Sequence, residues 1–249
     1  MWSKNKSKYV RPLAMKKVRD AEGLFLAEGG KAVGELARCF EPVMAVATEG
    51  WLATHTVPAG LATGVTDEGE MARASLMKSP QGILAVFRKP EAEAQFVPPT
   101  DDLTLVLDGV QDPGNVGTII RLADWLGIGH VVCSPDVADV FGPKVVQATM
   151  GALARVRAFY TDVPAWLDKV PAALPVYGTF MAGSNLYAEP LPQGAIVVMG
   201  SEGRGISPEV ERRITHRLTI PTFPPGRQAV ESLNVAVATA MVCAEFRRR

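Results

Sequence analysis

The chain has 249 residues, of which 47% are hydrophobic, and it carries 26 basic and 26 acidic side chains. This length allows one large domain or two small ones, and the hydrophobic content is sufficient for a packed core. A net charge of zero excludes a protein that coats nucleic acid by bulk charge, but it leaves room for a local basic patch.

The cysteines, the histidines and the apolar runs exclude further classes of protein. Three cysteines that lie far apart predict neither a disulfide framework nor a zinc site, and the three histidines lack ligand spacing. No apolar run reaches membrane-spanning length, and the N-terminus lacks the apolar core of a signal peptide. We therefore expect a soluble cytoplasmic protein without a bound metal.

The N-terminal segment is basic, because residues 1–19 contain seven basic side chains and no acidic one. These side chains are Lys4, Lys6, Lys8, Arg11, Lys16, Lys17 and Arg19. A phosphate-contacting face and a solvated, partly disordered terminus are equal alternatives for this segment.

A small α/β domain is predicted next, with a helix over residues 30–40 and strands over 43–47 and 83–87. Residues 88–100 are charged and contain Pro98 and Pro99, which predicts a linker. We accordingly place the two domains at residues 1–97 and 98–249.

The first informative loop follows an apolar strand candidate at residues 103–107 and leads into a helix predicted over 117–126. Its buried stripe has the spacing i, i+3, i+4 and i+7, at Ile119, Leu122, Ala123 and Leu126. Arg121 falls on the opposite side of the helix, where a permanent cation can reach an anionic ligand.

Strand and helix patterns alternate through the rest of the chain. Strands are predicted at 130–133, 156–160, 176–180, 195–199 and 218–220, and helices at 143–150, 163–169, 207–213 and 233–247. Continuous apolar strands such as residues 195–199 are typical of a parallel sheet buried on both faces, so an α/β fold is expected.

The second informative loop, residues 200–205, holds three glycines that allow unusual dihedral angles and close approach of a ligand. It lacks the ending of a P-loop and the glycine spacing of a dinucleotide-binding motif. A ligand site and a tight turn remain equal alternatives.

The third informative loop runs from Ile220 to Asn234 and precedes the last helix. Ser232 is predicted to cap that helix, and Asn234 either caps it or binds a ligand. The helix is apolar on several faces, which a subunit interface and deep packing against the sheet explain equally well.

Because each of the three loops follows a strand, we expect all three to open at the carboxyl edge of one sheet. Together they offer five polar side chains, Asn115, Arg121, Glu202, Ser232 and Asn234. None of the three loops contains a histidine, a cysteine pair or a Ser-His-Asp set. This argues against metal-dependent hydrolysis and covalent acyl transfer. The set favours positioning of an organic ligand beside a phosphate-bearing substrate.

The segments 115–121, 200–205 and 232–236 resemble, in order and separation, the three motifs of the SpoU (TrmH-like) family of RNA ribose methyltransferases, within the SPOUT class. Residues 16–29 and 81–86 are similar to the N-terminal substrate-binding domain of that family, which resembles a small ribosomal protein. The resemblance thus extends over almost the whole chain.

The resemblance implies a C-terminal parallel-sheet domain with a trefoil knot and a small N-terminal α/β domain that binds RNA. It implies S-adenosylmethionine bound in the knot, with Gly200, Ile220 and Leu233 at the matching cofactor positions. It also implies a homodimer whose active site draws on both subunits, with no DNA or membrane partner.

The implied reaction is methyl transfer to a ribose 2′-hydroxyl, in large-subunit rRNA rather than in tRNA. The matching functional residues are Asn115, Arg121, Glu202, Ser232 and Asn234. A guanidinium stays protonated, so we expect Arg121 to hold an RNA phosphate and stabilise alkoxide charge. Glu202 is expected to orient Arg121 or to accept the proton through water. The alternatives are a non-catalytic RNA-binding protein on the same fold and, more remotely, a nucleotide-dependent oxidoreductase.

Overall fold

The computed structural model describes residues 9–91, 96–224, 227 and 232–248. The chain divides into two compact units. The first unit comprises Met1–Glu91 and Asp139–Ala154, and the second comprises Ala92–Ala138 and Arg155–Arg249. In the described part of the chain, no helix is long and apolar enough to cross a membrane.

The strands, numbered in chain order, are β1 Leu24–Glu28, β2 Pro42–Thr48, β3 Thr63–Thr66, β4 Ile83–Arg88, β5 Leu103–Asp108, β6 His130–Cys133, β7 Arg157–Tyr160, β8 Val176–Asn185, β9 Ala195–Gly200 and β10 His216–Thr219. The α-helices are α1 Lys16–Glu22, α2 Gly30–Leu36, α3 Glu49–Leu52, α4 Glu68–Ala74, α5 Pro113–Trp125, α6 Pro143–Thr149, α7 Val163–Leu167, α8 Pro208–Glu211 and α9 Val235–Arg248. Short 3₁₀ helices lie at Arg11–Ala14 and Ala152–Ala154.

The first unit is built on a four-stranded sheet in the order β1-β4-β2-β3. Both β1 and β2 run antiparallel to β4, so their carboxyl ends lie at the edge where β4 begins. Two backbone hydrogen bonds close this edge, from Gly29 N–H to the Ile83 carbonyl (3.0 Å) and from Thr48 N–H to the Gly82 carbonyl (2.8 Å).

A buried ion pair ties residue 19 to the segment 139–154 of the same unit. Arg19 is only 3% exposed, and its Nη2 lies 2.5 Å from Asp139 Oδ2. Arg19 Nη1 also donates to the carbonyls of Leu13 (2.7 Å) and Ala14 (2.9 Å). Arg19 therefore does not belong to a phosphate-contacting face, which was one of the two alternatives for the basic segment; Lys4, Lys6 and Lys8 lie outside the described residues.

The second unit contains a six-stranded sheet in the order β10-β8-β9-β5-β6-β7. Every neighbouring pair in it is parallel. The central strands β5 and β9 are apolar and buried along nearly their whole length. The predicted α/β fold with a parallel sheet is confirmed.

Helix α5 begins earlier than the sequence pattern indicated, because Asp112 caps it and Pro113 occupies its first position. Its buried side carries Val116, Ile119, Ile120 and Ala123, whereas Arg121 is exposed. Helix α9 packs against α5 and β9. Deep packing therefore covers one side of the last helix.

Candidate active site

The three loops singled out in the sequence leave the same edge of the six-stranded sheet. Strands β5, β9 and β10 are parallel members of this sheet, so their carboxyl ends share one edge. Asp108 at the end of β5 pairs with Gly200 at the end of β9, which places the first two loops side by side. The third loop begins after Thr219, the last residue of β10.

One residue from each loop joins a cluster at this edge, which we call the Asn–Glu–Asn cluster: Asn115, Glu202 and Asn234. Asn115 Nδ2 donates to Glu202 Oε1 at 2.9 Å, and Asn234 Nδ2 donates to the same oxygen at 2.7 Å. Asn234 Nδ2 also lies 2.9 Å from Asn115 Oδ1. Three segments that are distant in sequence are thereby held together by side-chain hydrogen bonds.

The two asparagines are oriented by the starts of helices α5 and α9. The Asp112 carboxylate accepts the Asn115 N–H at 2.8 Å and so fixes the first turn of α5. Asn234 Oδ1 accepts the N–H groups of Ala236 (3.0 Å) and Val237 (3.2 Å). Asn234 therefore caps α9 and joins the cluster at once, because its oxygen and its nitrogen face different partners.

Ser232 does not cap the last helix, which corrects the sequence-based prediction. The first hydrogen bond of α9 runs from Ala238 N–H to the Asn234 carbonyl at 2.9 Å, so the helix starts two residues later than a cap at 232 requires. Ser232 is exposed and makes no hydrogen bond to any residue that the structure describes.

Only one oxygen of the Glu202 carboxylate accepts hydrogen bonds from the described residues. Oε1 accepts both asparagine amides and the Val235 N–H at 3.1 Å. Oε2 has no hydrogen-bond partner among the described residues. Since an ionised carboxylate accepts through both oxygens, this arrangement fixes the side chain and leaves one oxygen for substrate or water.

The glycine-containing loop after β9 folds back on itself. Ser201 N–H donates to the Gly205 carbonyl at 3.1 Å, and Gly205 N–H donates to the Ser201 carbonyl at 2.8 Å. A Cβ atom at Gly200 would lie 2.2 Å from the Gly205 carbonyl carbon. Only glycine fits at position 200, which explains the residue that ends the strand.

A buried carboxylate beneath this loop was not singled out in the sequence. Asp108 is buried at the end of β5, and its Oδ2 accepts the Ser207 N–H at 2.6 Å. The aspartate directly after the mainly apolar run 103–107 is the feature that could have indicated this buried carboxylate. The contact itself joins residues 99 positions apart and has no local sequence pattern.

Two more residues support the start of the first loop. Ser134 Oγ accepts the Gly109 N–H at 2.9 Å and donates to Asp136 Oδ1 at 2.5 Å. Asp136 Oδ2 in turn lies 3.4 Å from Arg204 Nη2 in the glycine-containing loop. Loops after β5, β6 and β9 are thus connected through side chains that the sequence analysis missed.

Arg121 is not joined to the Asn–Glu–Asn cluster. It is exposed and forms no ion pair or hydrogen bond with a described residue. It lies six residues after Asn115 on α5, which corresponds to about 9 Å along the helix axis. Of the five predicted functional residues, the structure therefore brings three together and leaves Arg121 and Ser232 apart from them.

Comparison with known proteins identifies this arrangement. The model of the SpoU rRNA Methylase family matches residues 102–244, and an MRM3-like substrate binding domain matches residues 4–85. The first match covers more than half of the chain and includes all three loops. The chain belongs to the SpoU rRNA methylase family. The resemblance stated from its motifs is confirmed.

Relatives in this family cover nearly the full length of the chain. The 23S rRNA (guanosine(2553)-2′-O)-methyltransferase RlmP of Bacillus subtilis is 30% identical over 97% of this chain and 96% of its own. A Porphyromonas gingivalis protein assigned to the TrmH family of RNA methyltransferases is 46% identical, with a TM-score of 0.87 over 100% of this chain and 99% of its own. An AdoMet-bound rRNA methyltransferase from Sinorhizobium meliloti is 28% identical, with a TM-score of 0.83 over 100% of this chain and 96% of its own.

The positions that match the cofactor site of the SpoU family lie around the same edge. Gly200 ends β9, Ile220 directly follows β10, and Leu233 precedes the capping Asn234. The Cα atom of Gly200 packs against the backbone of Gly205 and Ile206, while Leu233 is an apolar side chain that is 44% exposed. An exposed apolar side chain near the end of β9 is able to cover a purine ring, so these residues fit S-adenosylmethionine.

Proposed function

We propose that this chain transfers the methyl group of S-adenosylmethionine to a ribose 2′-hydroxyl of large-subunit ribosomal RNA. The observation that carries the proposal is the Asn–Glu–Asn cluster, in which all three family motifs meet at the carboxyl edge of the parallel sheet. The full-length rRNA methyltransferase relatives support ribosomal RNA over tRNA. A non-catalytic RNA-binding protein would need a damaged cofactor pocket, and the three motifs of this chain are intact.

Gly200, Ile220 and Leu233 are the residues that we assign to the cofactor. S-adenosylmethionine supplies an electrophilic methyl carbon when bound. The task of the protein is then to align the ribose oxygen with that carbon, and alignment alone can contribute roughly 7–11 kcal/mol to lowering the barrier. The tight loop at Gly200 and the cap at Asn234 provide rigid walls for this purpose.

Glu202 is the group that we assign to accept the hydroxyl proton through water. The sequence left two roles open, and the hydrogen bonds of Glu202 to Asn115 and Asn234 favour this one over orientation of Arg121. The asparagines hold Oε1, and the unoccupied lone pairs of Oε2 remain for the proton. Ser232, exposed two residues before the cap, is proposed to hydrogen-bond to the substrate.

Arg121 is proposed to hold the RNA phosphate next to the reacting ribose and to stabilise the developing alkoxide. Its exposure and its lack of a described partner leave all of its N–H donors for an anion. Its separation from the cluster of its own subunit supports a role in the active site of a second subunit.

A homodimer would bring such a second subunit to the face formed by α5 and α9, which pack together. Each helix exposes one large apolar side chain, Trp125 near the end of α5 (87% exposed) and Val237 near the start of α9 (51% exposed). Exposed apolar residues on adjacent helices are typical of surfaces that a partner covers. We propose that the dimer axis runs through this pair of helices.

The domain boundary, the location of the protein and the knot are also proposals. The family models end at residue 85 and begin at residue 102, which supports a domain boundary near residues 97–98. We also propose a cytoplasmic location, which the bacterial rRNA methyltransferase relatives support. The trefoil knot stays a prediction, because the path from Ile220 to Ser232 includes residues outside those described.

Incubation of the chain with methyl-labelled S-adenosylmethionine and unmodified large-subunit rRNA tests the proposal. Alkaline cleavage of RNA needs a free 2′-hydroxyl, so a 2′-O-methylated nucleotide survives within an alkali-resistant dinucleotide. We expect the label in such dinucleotides. Label only in free mononucleotides, which indicates base methylation, or no transfer at all would reject the proposed function.

A further inference from the structure

A pocket of about 370 Å³ lies in the first unit, and none of its lining residues belongs to the Asn–Glu–Asn cluster. It sits at the edge where β1 and β2 end and β4 begins. Its lining residues are Gly30, Lys31, Trp51, His55, Thr56 and Gln81. Its size falls within the range of roughly 300–1,000 Å³ that is usual for small-molecule sites.

The floor of this pocket is a stacked pair of rings. His55 lies flat on Trp51, with ring centroids 4.7 Å apart and an interplanar angle of 8°. Trp51 is 9% exposed whereas His55 is exposed, so the outer face of the imidazole is open to solvent.

Two glycines make room for the buried indole. A Cβ atom at Gly30 would lie 3.1 Å from Trp51 Cζ2, and one at Gly82 would lie 3.0 Å from Trp51 Cβ. Gly82 also has a φ of +75°, which disfavours other residues. The surrounding backbone is therefore shaped to hold Trp51, which in turn supports His55.

Polar contacts of Nδ1 also orient the edge of the His55 imidazole. His55 Nδ1 lies 2.8 Å from Thr54 Oγ1 and 3.2 Å from the Trp51 carbonyl. A carbonyl only accepts, so the neutral ring uses this contact when its proton is on Nδ1. Nε2 then points away as an acceptor, and it makes no hydrogen bond to a described residue.

Polar groups surround the open ring face. Lys31 is exposed and forms no ion pair within the described part of the chain. Thr56 and Gln81 contribute a hydroxyl and an amide to the rim. An aromatic face beside a cation and hydrogen-bonding groups is the combination with which proteins bind the splayed bases of single-stranded RNA. Duplex RNA hides its base faces and does not fit such a platform.

We propose that this pocket binds one unpaired nucleotide of the substrate RNA, with its base stacked on His55 and its phosphate beside Lys31. The proposal rests on the proposed function, because that function supplies RNA as the substrate. It adds a specific contact for the first unit, remote in sequence from the methyl-transfer residues.

Histidine NMR of the full chain tests the contact directly, because the chain has only three histidines. His216 is a matched internal control: it stacks on Tyr177 at 4.7 Å, and its Nδ1 lies 2.8 Å from Thr215 Oγ1. We expect a single-stranded oligoadenylate to shift the His55 resonance and to leave His216 unchanged. No shift at His55, or an equal shift with an RNA duplex, would overturn the proposal.

Substitutions give the second readout. We expect His55→Ala to weaken oligoadenylate binding and to raise the KM for rRNA by at least about fivefold, since one base stack is lost. The kcat at saturating RNA and the Kd for S-adenosylmethionine stay unchanged. His55→Phe keeps a stacking face and retains most of the affinity, and His216→Ala serves as the matched control.

The outcomes separate the two proposals. Methyl transfer with a KM that His55→Ala leaves unchanged overturns the pocket and preserves the proposed function. A His55 shift with oligoadenylate in a chain that transfers no methyl group rejects the proposed function and preserves the pocket. Equal losses of affinity in His55→Ala and His55→Phe overturn the stacking of a base on this ring.

Discussion

At the scale of single residues, one carboxylate oxygen organises the candidate active site. Glu202 Oε1 accepts two asparagine amides and a backbone N–H, and these bonds connect all three loops. Glu202→Ala removes the acceptor and the proposed proton route together. We expect kcat for methyl transfer to fall by about 10²-fold or more.

The control for this change is Glu209→Ala, which removes an exposed glutamate of α8 that pairs only loosely with Arg212, at 3.6 Å. It should leave kcat unchanged. An unaltered kcat in Glu202→Ala would contradict the role that we assign to this carboxylate.

Arg121 provides the second prediction at this scale. Arg121→Lys keeps the charge but loses the planar fork that binds two phosphate oxygens. We expect kcat/KM to fall by about tenfold, the loss of roughly one charge-assisted hydrogen bond. Arg212→Lys, on an exposed arginine away from the cluster, is the matched control. Near-normal turnover in Arg121→Lys would refute bidentate phosphate binding.

Residues beside local sequence signals were predicted, whereas residues whose contacts are distant in sequence were missed. Asn115, Glu202 and Asn234 stand beside glycines or helix starts, so local chemistry marked them. The predicted N-cap of α9, Ser232, was wrong by two residues, because serine and asparagine both suit an N-cap position. Asp108 and the pairing of Arg19 with Asp139 depend on contacts 99 and 120 residues apart, which no local pattern encodes.

At the scale of structural elements, Asp108 anchors the glycine-containing loop to strand β5 through the Ser207 N–H. Asp108→Ala leaves that N–H without its acceptor at a partly buried position, which costs about 1 kcal/mol of unfolding free energy. We also expect a higher Kd for S-adenosylmethionine, because the loop begins at Gly200. Calorimetric titration measures the Kd; an unchanged value would show that the loop holds its shape without Asp108.

The ion pair of Arg19 with Asp139 is the corresponding anchor in the first unit. Asp139→Ala leaves a buried guanidinium without its counter-charge, and we expect a loss of about 3–5 kcal/mol in the stability of this unit. Hydrogen exchange of the β1 amides reports it. Glu41→Ala, which breaks an exposed pair with Arg88, should cost no more than about 1 kcal/mol. Equal effects of the two changes would contradict the importance of burial.

The central strands of the six-stranded sheet were predicted because their apolar runs are long and uninterrupted, whereas the buried apolar strand β1 was missed. The sheet strands at residues 103–107 and 195–199 are such runs, and both are central in the sheet. Strand β3 is short, contains Gly64 and has only one buried residue, Thr66, so it left no apolar run. The far half of β8 is exposed and pairs only with β10, which explains why the predicted strand ended at Phe180.

At the scale of the whole molecule, we expect a dimer in which each active site draws on both subunits. A mixture of Arg121→Ala and Asn234→Ala chains forms heterodimers in which one site has an intact cluster and an intact arginine from the other subunit. Statistical mixing then restores about a quarter of the wild-type activity from two inactive variants. Absence of any recovery, although heterodimers form, would place Arg121 in the site of its own subunit.

Methylation of a ribose in large-subunit RNA is tested directly by a map of 2′-O-methyl positions in total RNA. The map compares cells that lack the gene with the same cells carrying the wild-type chain or Glu202→Ala. We predict that one large-subunit 2′-O-methyl position disappears without the gene, returns with the wild-type chain and stays absent with Glu202→Ala. An unchanged map, or a loss confined to tRNA, would contradict the account.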